Sequence, residues 1–495
     1  MLPQILLSIL LIIITCCVYY VRKKYSQLEK LGFMHEKPKF PFGNVQGIGK
    51  KYHLVDILRR TYKKFSSDSP IHGLYMFLSA NFVVTDLDLA KDILIKDFDT
   101  FHNRGLYHSI ENDPLTNDLT RIEDQEWRNM RHKLTPTFTS GKMKIMFSTI
   151  LELSHHMLNK LKANENLDNV EIKEVIASFM TDVIGNVAFG LEMNAIEDPD
   201  SKFRVMGRKI FTSQNFLLNL LFLANFKSLA IKLKLRQFPT DLSDFFLGVV
   251  RETIEYRLKN NIERNDVLNS LMKIGTEGRK GEDKLSTDEI AAQCFAFFIG
   301  GFETSSTTTT FTLYHLVQNT ELQEKLRDEI KAVLSRHDNK VTYEAMQDMK
   351  YLDMVINETL RMCPPGTAAI RQASKNYKVP KTSLEIPKGP LVIVPIYMIH
   401  NDPKYHPKPE QFNPERFTPE NKAKRHPMAF IPFGDGPRIC IGNRFAVMQT
   451  KIALIQLLTS FRAYKTSKTP DKIVIDPKSS ILNSVVPIFI RLEEL

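Results

Sequence analysis

The chain has 495 residues, 43% of them apolar, enough for a large core, and it contains no internal repeat, Gln/Asn tract or Pro/Gly-rich linker. Its formal net charge of +11 suits an anionic membrane surface or an acidic partner. No nucleic-acid module and no basic stripe interleaved with aromatics is present, so nucleic acid is set aside as a partner. One compact catalytic unit behind a short N-terminal appendage is expected.

Residues 2–21 (LPQILLSILLIIITCCVYYV) carry no charge and match the length of a helix that crosses a bilayer core. Arg22, Lys23 and Lys24 follow at once, and the positive-inside bias puts the downstream body in the cytosol. A cleaved signal peptide has a basic start, a shorter apolar core and a small-residue cleavage site, features this segment lacks. The expected division is an anchor with its basic stop over residues 1–24, a proline-containing linker over 25–44 and a catalytic domain over 45–495. Cys16 and Cys17 lie in the anchor. Cys294, Cys363 and Cys440 remain in a cytosolic body, where disulfides are rare, and no CxxC pair points to structural zinc.

Apolar spacings of three and four dominate the rest. Strand-like stretches are short, at residues 71–86, 391–395 and 485–491. The class is therefore mainly α with small β-sheets, an α+β pattern. A helix is expected over about residues 124–133. A second begins at the capping box Ser286-Thr-Asp-Glu289 and runs through AAQCFAFFIGGFETSSTTTTFTLYHLV. Gly300-Gly301 and Thr307 to Thr310 are poor helix formers, so this helix is either locally distorted or closely approached by another group. A third helix, over about residues 345–362, stops at Cys363-Pro364-Pro365-Gly366.

The loop Phe433-Gly-Asp-Gly-Pro-Arg-Ile-Cys440-Ile-Gly442 leads into an apolar helical pattern from Asn443. A cysteine at a helix N-terminus faces free N–H groups and the positive end of the dipole, which stabilise a thiolate, and Arg438 adds a cation nearby. Residue chemistry alone leaves two readings open, a metal-bound thiolate and a buried, inert cysteine beside a glycine turn. Phe433, Gly436, Arg438, Cys440 and Gly442 fill the pattern Phe-x-x-Gly-x-Arg-x-Cys-x-Gly. That pattern resembles the haem-binding loop of the cytochrome P450 superfamily of haem-thiolate monooxygenases, and the resemblance covers the whole chain. It implies the P450 fold, with haem b between the long helix and the cysteine loop. It implies Cys440 as the axial iron ligand, Arg438 at a haem propionate and Phe433 beside the sulfur.

Other residues match the same superfamily. Glu358-Thr-Leu-Arg361 places acid and guanidinium on one helical face, and Arg416 lies in Phe412-Asn-Pro-Glu-Arg-Phe417. The resemblance implies a buried network of Glu358, Arg361 and Arg416 that holds the cysteine loop. Trp127 and Arg131, four apart on one helical face, and Arg371 resemble propionate donors. Gly300-Gly301-Phe-Glu303-Thr304 resembles the oxygen-activation motif. Gly301 opens a groove, and Glu303 and Thr304 relay protons. Gly300, Ile439 and Ala446 stand where alanine, asparagine and glycine are commoner.

The implied activity inserts one atom of O₂ into a lipophilic substrate. Electrons come from NADPH through the membrane-bound NADPH–cytochrome P450 reductase, with cytochrome b5 as a further candidate donor. Lys422, Lys424 and Arg425 offer a basic docking face for an acidic flavodomain. The implied location is the endoplasmic reticulum membrane, with the body cytosolic. Residues 126–147, with Phe-Ile-Gly-Gly-Phe-Glu-Thr-Ser-Ser, look like the insect microsomal group that handles plant toxins and insecticides. A haem-thiolate isomerase or dehydratase, and a non-catalytic haem carrier, are the competing classes; the Glu303-Thr304 pair argues against the first. Pocket walls are expected near residues 106–119, 211–226, 367–370 and 482–486, and among Phe295, Phe297, Phe298 and Phe302. The apolar run 216–226 either dips into the bilayer or is simply buried.

Overall fold

A computed structural model describes residues 2–212, 216–277 and 284–495. The expected anchor is a helix, α1 (Leu2–Tyr25), with no buried residue. Its most apolar window has a mean hydropathy of 2.4, and it is the one helix among the described residues long and apolar enough to cross a membrane.

The stretch expected as a linker is packed onto the body. Leu28 is fully buried and its N–H donates to the Tyr75 hydroxyl at 3.0 Å. Its methyl groups occupy the space a side chain at Gly73 would need, so Gly73 admits it. Phe33 is buried against Phe82, ring centroids 4.5 Å apart. Two apolar side chains with a sheet face to cover outweigh the loosening effect of the prolines.

That sheet joins β1 (Ile71–Met76), β2 (Ser79–Val84), β4 (Ala369–Gln372) and β5 (Leu391–Val394) in the order β1-β2-β5-β4. The β2–β5 pair is parallel and the others are antiparallel. A second sheet has β3 (Val170–Glu171), β7 (Phe489–Glu494) and β6 (Phe461–Lys465) in the order β3-β7-β6. The strand expected over 485–491 thus begins later, because Val485 and Val486 stand out into solvent.

Helices make up most of the body. They include α2 (Asp124–Leu134), α3 (Ser140–Lys162), α4 (Ile172–Ile184), α5 (Phe216–Asn225) and α6 (Thr240–Asn260). Further along are α7 (Thr287–Gln318), α8 (Lys350–Met362) and α9 (Asn443–Ser460). The long helix α7 packs against α4, α6, α8 and α9. Its capping box is formed: Glu289 N–H donates to Ser286 Oγ at 3.2 Å and Ser286 N–H to the Glu289 carboxylate at 2.8 Å.

The helix α7 is unbroken over 32 residues, so its weak middle segment is closely approached, not distorted. Thr308 and Thr309 return their hydroxyl protons to the carbonyls of Thr304 and Ser305 at 2.9 Å, which lets them stay buried. Phe295, Phe298 and Phe302 are fully buried, and Phe298 lies 5.0 Å from Phe246 and 4.9 Å from Phe302. These rings are core.

Residues 213–215 lie outside the described residues. In α5, Leu217, Leu221 and Leu223 are buried, so this run is core. The exposed apolar residues come after it, at Leu229 (47%), Ile231 (45%) and Leu233 (60%). α1 meets the core only near its C-terminal end, where the Tyr25 carbonyl accepts the Tyr75 hydroxyl at 2.9 Å, so deletion of residues 2–21 is expected to leave the thermal unfolding midpoint of the body unchanged. The same deletion should move the protein from the pelleted membrane fraction toward the supernatant. A midpoint lowered by several degrees would show that residues 2–21 pack on the body.

Candidate active site

A cavity of about 470 Å³ is lined by Cys440 from the loop before α9 and by Gly300, Gly301, Thr304 and Ser305 from α7. Local backbone chemistry shapes the loop. Gly434 and Gly436 have φ of +72° and +71°, and a side chain at Gly436 would collide with the Leu94 carbonyl oxygen. The Cys440 N–H donates to the Phe433 carbonyl at 3.0 Å, and the Phe433 ring borders the cavity. Gly442 caps α9, so Cys440 sits just outside the N-terminus of the helix.

Cys440 is accessible although it lies deep in the molecule, because the surface it exposes belongs to the cavity. Burial pushes its thiol up, while the Gly442 N–H, Arg104 and Arg131 pull it down. The expected cation beside it was Arg438. The cations that favour its thiolate are instead Arg104 and Arg131, while Arg438 is engaged elsewhere: its Nε donates to the His102 carbonyl at 2.8 Å and its Nη2 to the Ile122 carbonyl at 3.1 Å. Cys294 and Cys363 are buried away from the cavity; burial raises both thiols, that of Cys363 to about 12.

Arg438 stacks on the only tryptophan, 3.9 Å from the Trp127 ring centroid. Trp127 and Arg131 of α2 both line the cavity, as do Arg104, Arg371 and Arg438. Arg371 is 2% exposed; its Nη1 donates to the Ile370 carbonyl at 3.0 Å and its Nε has no partner. Burial and Arg104 bring the Arg371 guanidinium down to about 9, and burial with Arg104 and Arg371 brings Arg438 to about 8. Among the described residues, no carboxylate lines the cavity. Asp118 and Glu123 stand behind it, each already paired, with Arg121 and Lys227. Arg104 carried no motif and was missed in the sequence. Only its position, shortly before the loop that closes over the cavity, ties it to the site.

On α7, Thr304 faces the cavity and donates its hydroxyl to the Gly300 carbonyl at 2.6 Å. Glu303 does not reach the wall. Its carboxylate is 7% exposed and accepts from Lys173 Nζ at 2.6 Å and from Asn483 Nδ2 at 3.2 Å. Successive residues on a helix point about 100° apart, so one expected relay becomes two separate environments. Gly301 serves helix packing as well as the cavity, since a Cβ there would sit 2.6 Å from Ile184 Cδ1, whereas a Cβ at Gly300 would meet nothing within 4 Å.

A family profile described as Cytochrome P450 matches residues 35–491. Cytochrome P450 6A1 of Musca domestica is 41% identical over 485 residues, covering 96% of this chain and 95% of its own. Probable cytochrome P450 6a14 of Drosophila melanogaster is 42% identical over 489 residues, 96% of each chain. Cytochrome P450 6a2 of the same fly is 39% identical over 504 residues, covering 99% of this chain and all of its own. The chain belongs to the cytochrome P450 family. It is a haem monooxygenase of that family, and haem b is its cofactor.

The residues present fit that cofactor. Four guanidinium groups face one cavity that has no free carboxylate on its wall, a charge arrangement complemented by a group with two carboxylates. A thiol opens on the same space. Further walls are only partly those expected. Leu106, Leu119, Phe297, Ala368, Ala369 and Ile370 line the cavity, and among the described residues of 211–226 and 482–486 none does.

Glu358, Arg361 and Arg416 form one buried cluster in this P450. Arg361 is bidentate to Glu358 at 2.8 and 2.9 Å, and Arg416 Nε reaches the same carboxylate at 3.2 Å. Arg361 also donates to the His400 carbonyl at 3.0 Å, and the His400 ring accepts the Ile431 N–H at 2.9 Å, two residues before Phe433. Burial holds the His400 imidazole well below its ordinary value, so it stays neutral and can accept that bond. His400 is a link to the cysteine loop that no sequence motif marks.

Two expectations follow from this geometry. Glu358→Ala leaves two buried cations without their carboxylate and should destabilise the fold by about 3–5 kcal/mol, read by chemical denaturation. A loss below about 1 kcal/mol would mean that backbone carbonyls suffice for Arg361. Gly300→Ala should be neutral or gain up to about 1 kcal/mol from helix propensity, while Gly301→Ala should lose about 1–3 kcal/mol against Ile184. The same denaturation measurement checks that ordering.

Proposed function

We propose that this P450 is a reductase-dependent monooxygenase of lipophilic small molecules, anchored in the endoplasmic reticulum membrane with its body in the cytosol. The observation that carries the reading is the single cavity that joins the Cys440 thiol, the arginine cluster and the Thr304 face of α7. Cys440 would hold the haem iron through its thiolate. Arg131, Arg371 and the Trp127 indole N–H would hold the propionates. Arg438 adds the donors it does not give to main-chain carbonyls. Arg104 joins them as a fifth contact. Phe433 shields the sulfur from water. When bound, thiolate-ligated haem b supplies reductive activation of O₂.

The protein's share is positioning and protons. Apolar side chains such as Leu106, Phe138, Phe297 and Ile370 exclude water and favour an apolar substrate. Thr304 Oγ1 holds a proton one hydrogen bond from the Gly300 carbonyl and can pass it into the cavity. Glu303 can refill that hydroxyl when its ion pair with Lys173 opens. The cluster of Glu358, Arg361 and Arg416 braces the cysteine loop through His400.

Electrons come from the membrane-bound NADPH–cytochrome P450 reductase, with cytochrome b5 as an auxiliary donor. Support comes from the apolar α1 followed by Arg22, Lys23 and Lys24, and from the exposed Lys422 and Lys424 beside Arg425. Xenobiotic metabolism is the favoured role, supported by the apolar side chains that line the cavity.

The carbon monoxide difference spectrum of the reduced, membrane-expressed protein tests the ligand. A strongly red-shifted Soret band is expected in wild type and should be lost in Cys440→Ala; an unchanged band in that variant would refute the assignment. Thr304→Ala should keep haem and the Soret band but lower product formed per NADPH consumed by about 10-fold or more, with peroxide released instead. Full coupling in Thr304→Ala would remove the hydroxyl from the relay.

A further inference from the structure

Hydroxyl groups around the cavity face of α7 differ in what their protons do. Thr304 donates to Gly300 at 2.6 Å, Ser306 to Glu303 at 3.0 Å and Thr308 to Thr304 at 2.9 Å. Thr309 donates to Ser305 at 2.9 Å and Thr312 to Thr308 at 2.8 Å. Each of these returns its proton to its own helix, as buried serine and threonine usually do.

The buried hydroxyls of Thr307 and Thr310 have no partner, and neither lines the cavity; Ser305, which does, departs from the pattern in a different way. The acceptor it would use one turn back is the Gly301 carbonyl, and Gln449 Nε2 of α9 donates to that carbonyl at 2.8 Å. The same amide nitrogen donates to Ser305 Oγ at 2.6 Å. Gln449 is fully buried and its Oε1 has no partner. Turning the amide over would set Oε1 against the Gly301 oxygen, two acceptors face to face, so the donor orientation is fixed. The Ser305 oxygen is therefore occupied as an acceptor, and its O–H has no acceptor among the described residues. Ser305 lines the cavity.

We propose that Ser305, oriented by Gln449, is a second hydroxyl proton donor to the cavity beside Thr304. The inference rests on the monooxygenase reading above. Thr304 must break its bond to Gly300 before it can donate, whereas Ser305 has no such bond to break. Turnover consumes two electrons from the redox partner and two protons from solvent. Ser305 Oγ passes a proton to the acceptor in the cavity and takes a replacement from water there. Gln449 has no acidic proton and contributes none. It is a positioning residue, placed nine residues after Cys440 on the helix that the ligand loop leads into.

The test uses the full-length holoenzyme with carbon monoxide as probe. The C–O stretch, read by infrared spectroscopy, reports a hydrogen-bond donor in the cavity without any turnover. Ser305→Ala and Gln449→Met should shift it in the same direction, while Ser305→Thr should hold the wild-type position. Product per NADPH should fall about 3- to 10-fold in Ser305→Ala and Gln449→Met, less than a sole donor would cost because Thr304 remains, and recover in Ser305→Thr. If Gln449→Met does not fold, the Ser305→Ala and Ser305→Thr pair decides. A red-shifted Soret band with an unmoved stretch and full coupling in Ser305→Ala overturns this inference alone. A wild-type protein without that Soret band overturns the monooxygenase reading and this inference together.

Discussion

One continuous helix sets the terms for the rest of the molecule. Over its 32 residues, α7 runs roughly 48 Å through the core, and almost every side chain after Phe302 is buried. Such a helix can offer a cavity only where its side chains are small. Gly300 and Gly301 supply that opening, and the close approach of Ile184 to Gly301 fixes α4 beside it. From there, steps of about 100° per residue distribute the chemistry. Glu303 is turned to Lys173 and Asn483, Thr304 to the cavity and the Gly300 carbonyl, and Ser305 to Gln449. Three adjacent polar residues thus meet an ion pair, a helix carbonyl and a fixed amide. What each proton can do follows from that partner more than from residue type.

Much of this was legible beforehand, for identifiable reasons. The α7 capping box is a local code, read from Ser286 and Glu289 without any tertiary knowledge. The cysteine loop was legible because Gly436 tolerates no other residue beside the Leu94 carbonyl, so its spacing to Cys440 is rigid. Pairs on one turn, such as Glu358 with Arg361 and Trp127 with Arg131, were legible from helical periodicity.

Long-range partners were not. Arg104, His400 and Gln449 meet their partners across separations of 334, 31 and 144 residues, and no local pattern distinguishes them from surface arginine, core histidine or an ordinary helix glutamine. Periodicity also cannot say which apolar face meets ligand and which meets other side chains. Phe295, Phe298 and Phe302 turned out to be core, and so did the run around Leu217 and Leu221.

The charge around the cavity then links cofactor to fold. Burying a cation without a partner is costly, and here burial with mutual repulsion depresses the Arg371 and Arg438 guanidinium groups. Arg438 escapes part of that cost through three main-chain carbonyls and the Trp127 face. Arg371, with an orphaned Nε, does not. Two carboxylates brought in by haem b would remove the repulsion at its source, so cofactor binding would stabilise the folded chain by more than the ligand bond alone. The contrast with Glu358 makes the point. There, Arg361 and Arg416 share a carboxylate the chain itself supplies, and Arg361 shows no orphaned nitrogen. The brace behind the cysteine loop is complete without cofactor, while the cavity wall is charge-balanced only with it. The loop that presents Cys440 is therefore held in place by groups that do not wait for haem.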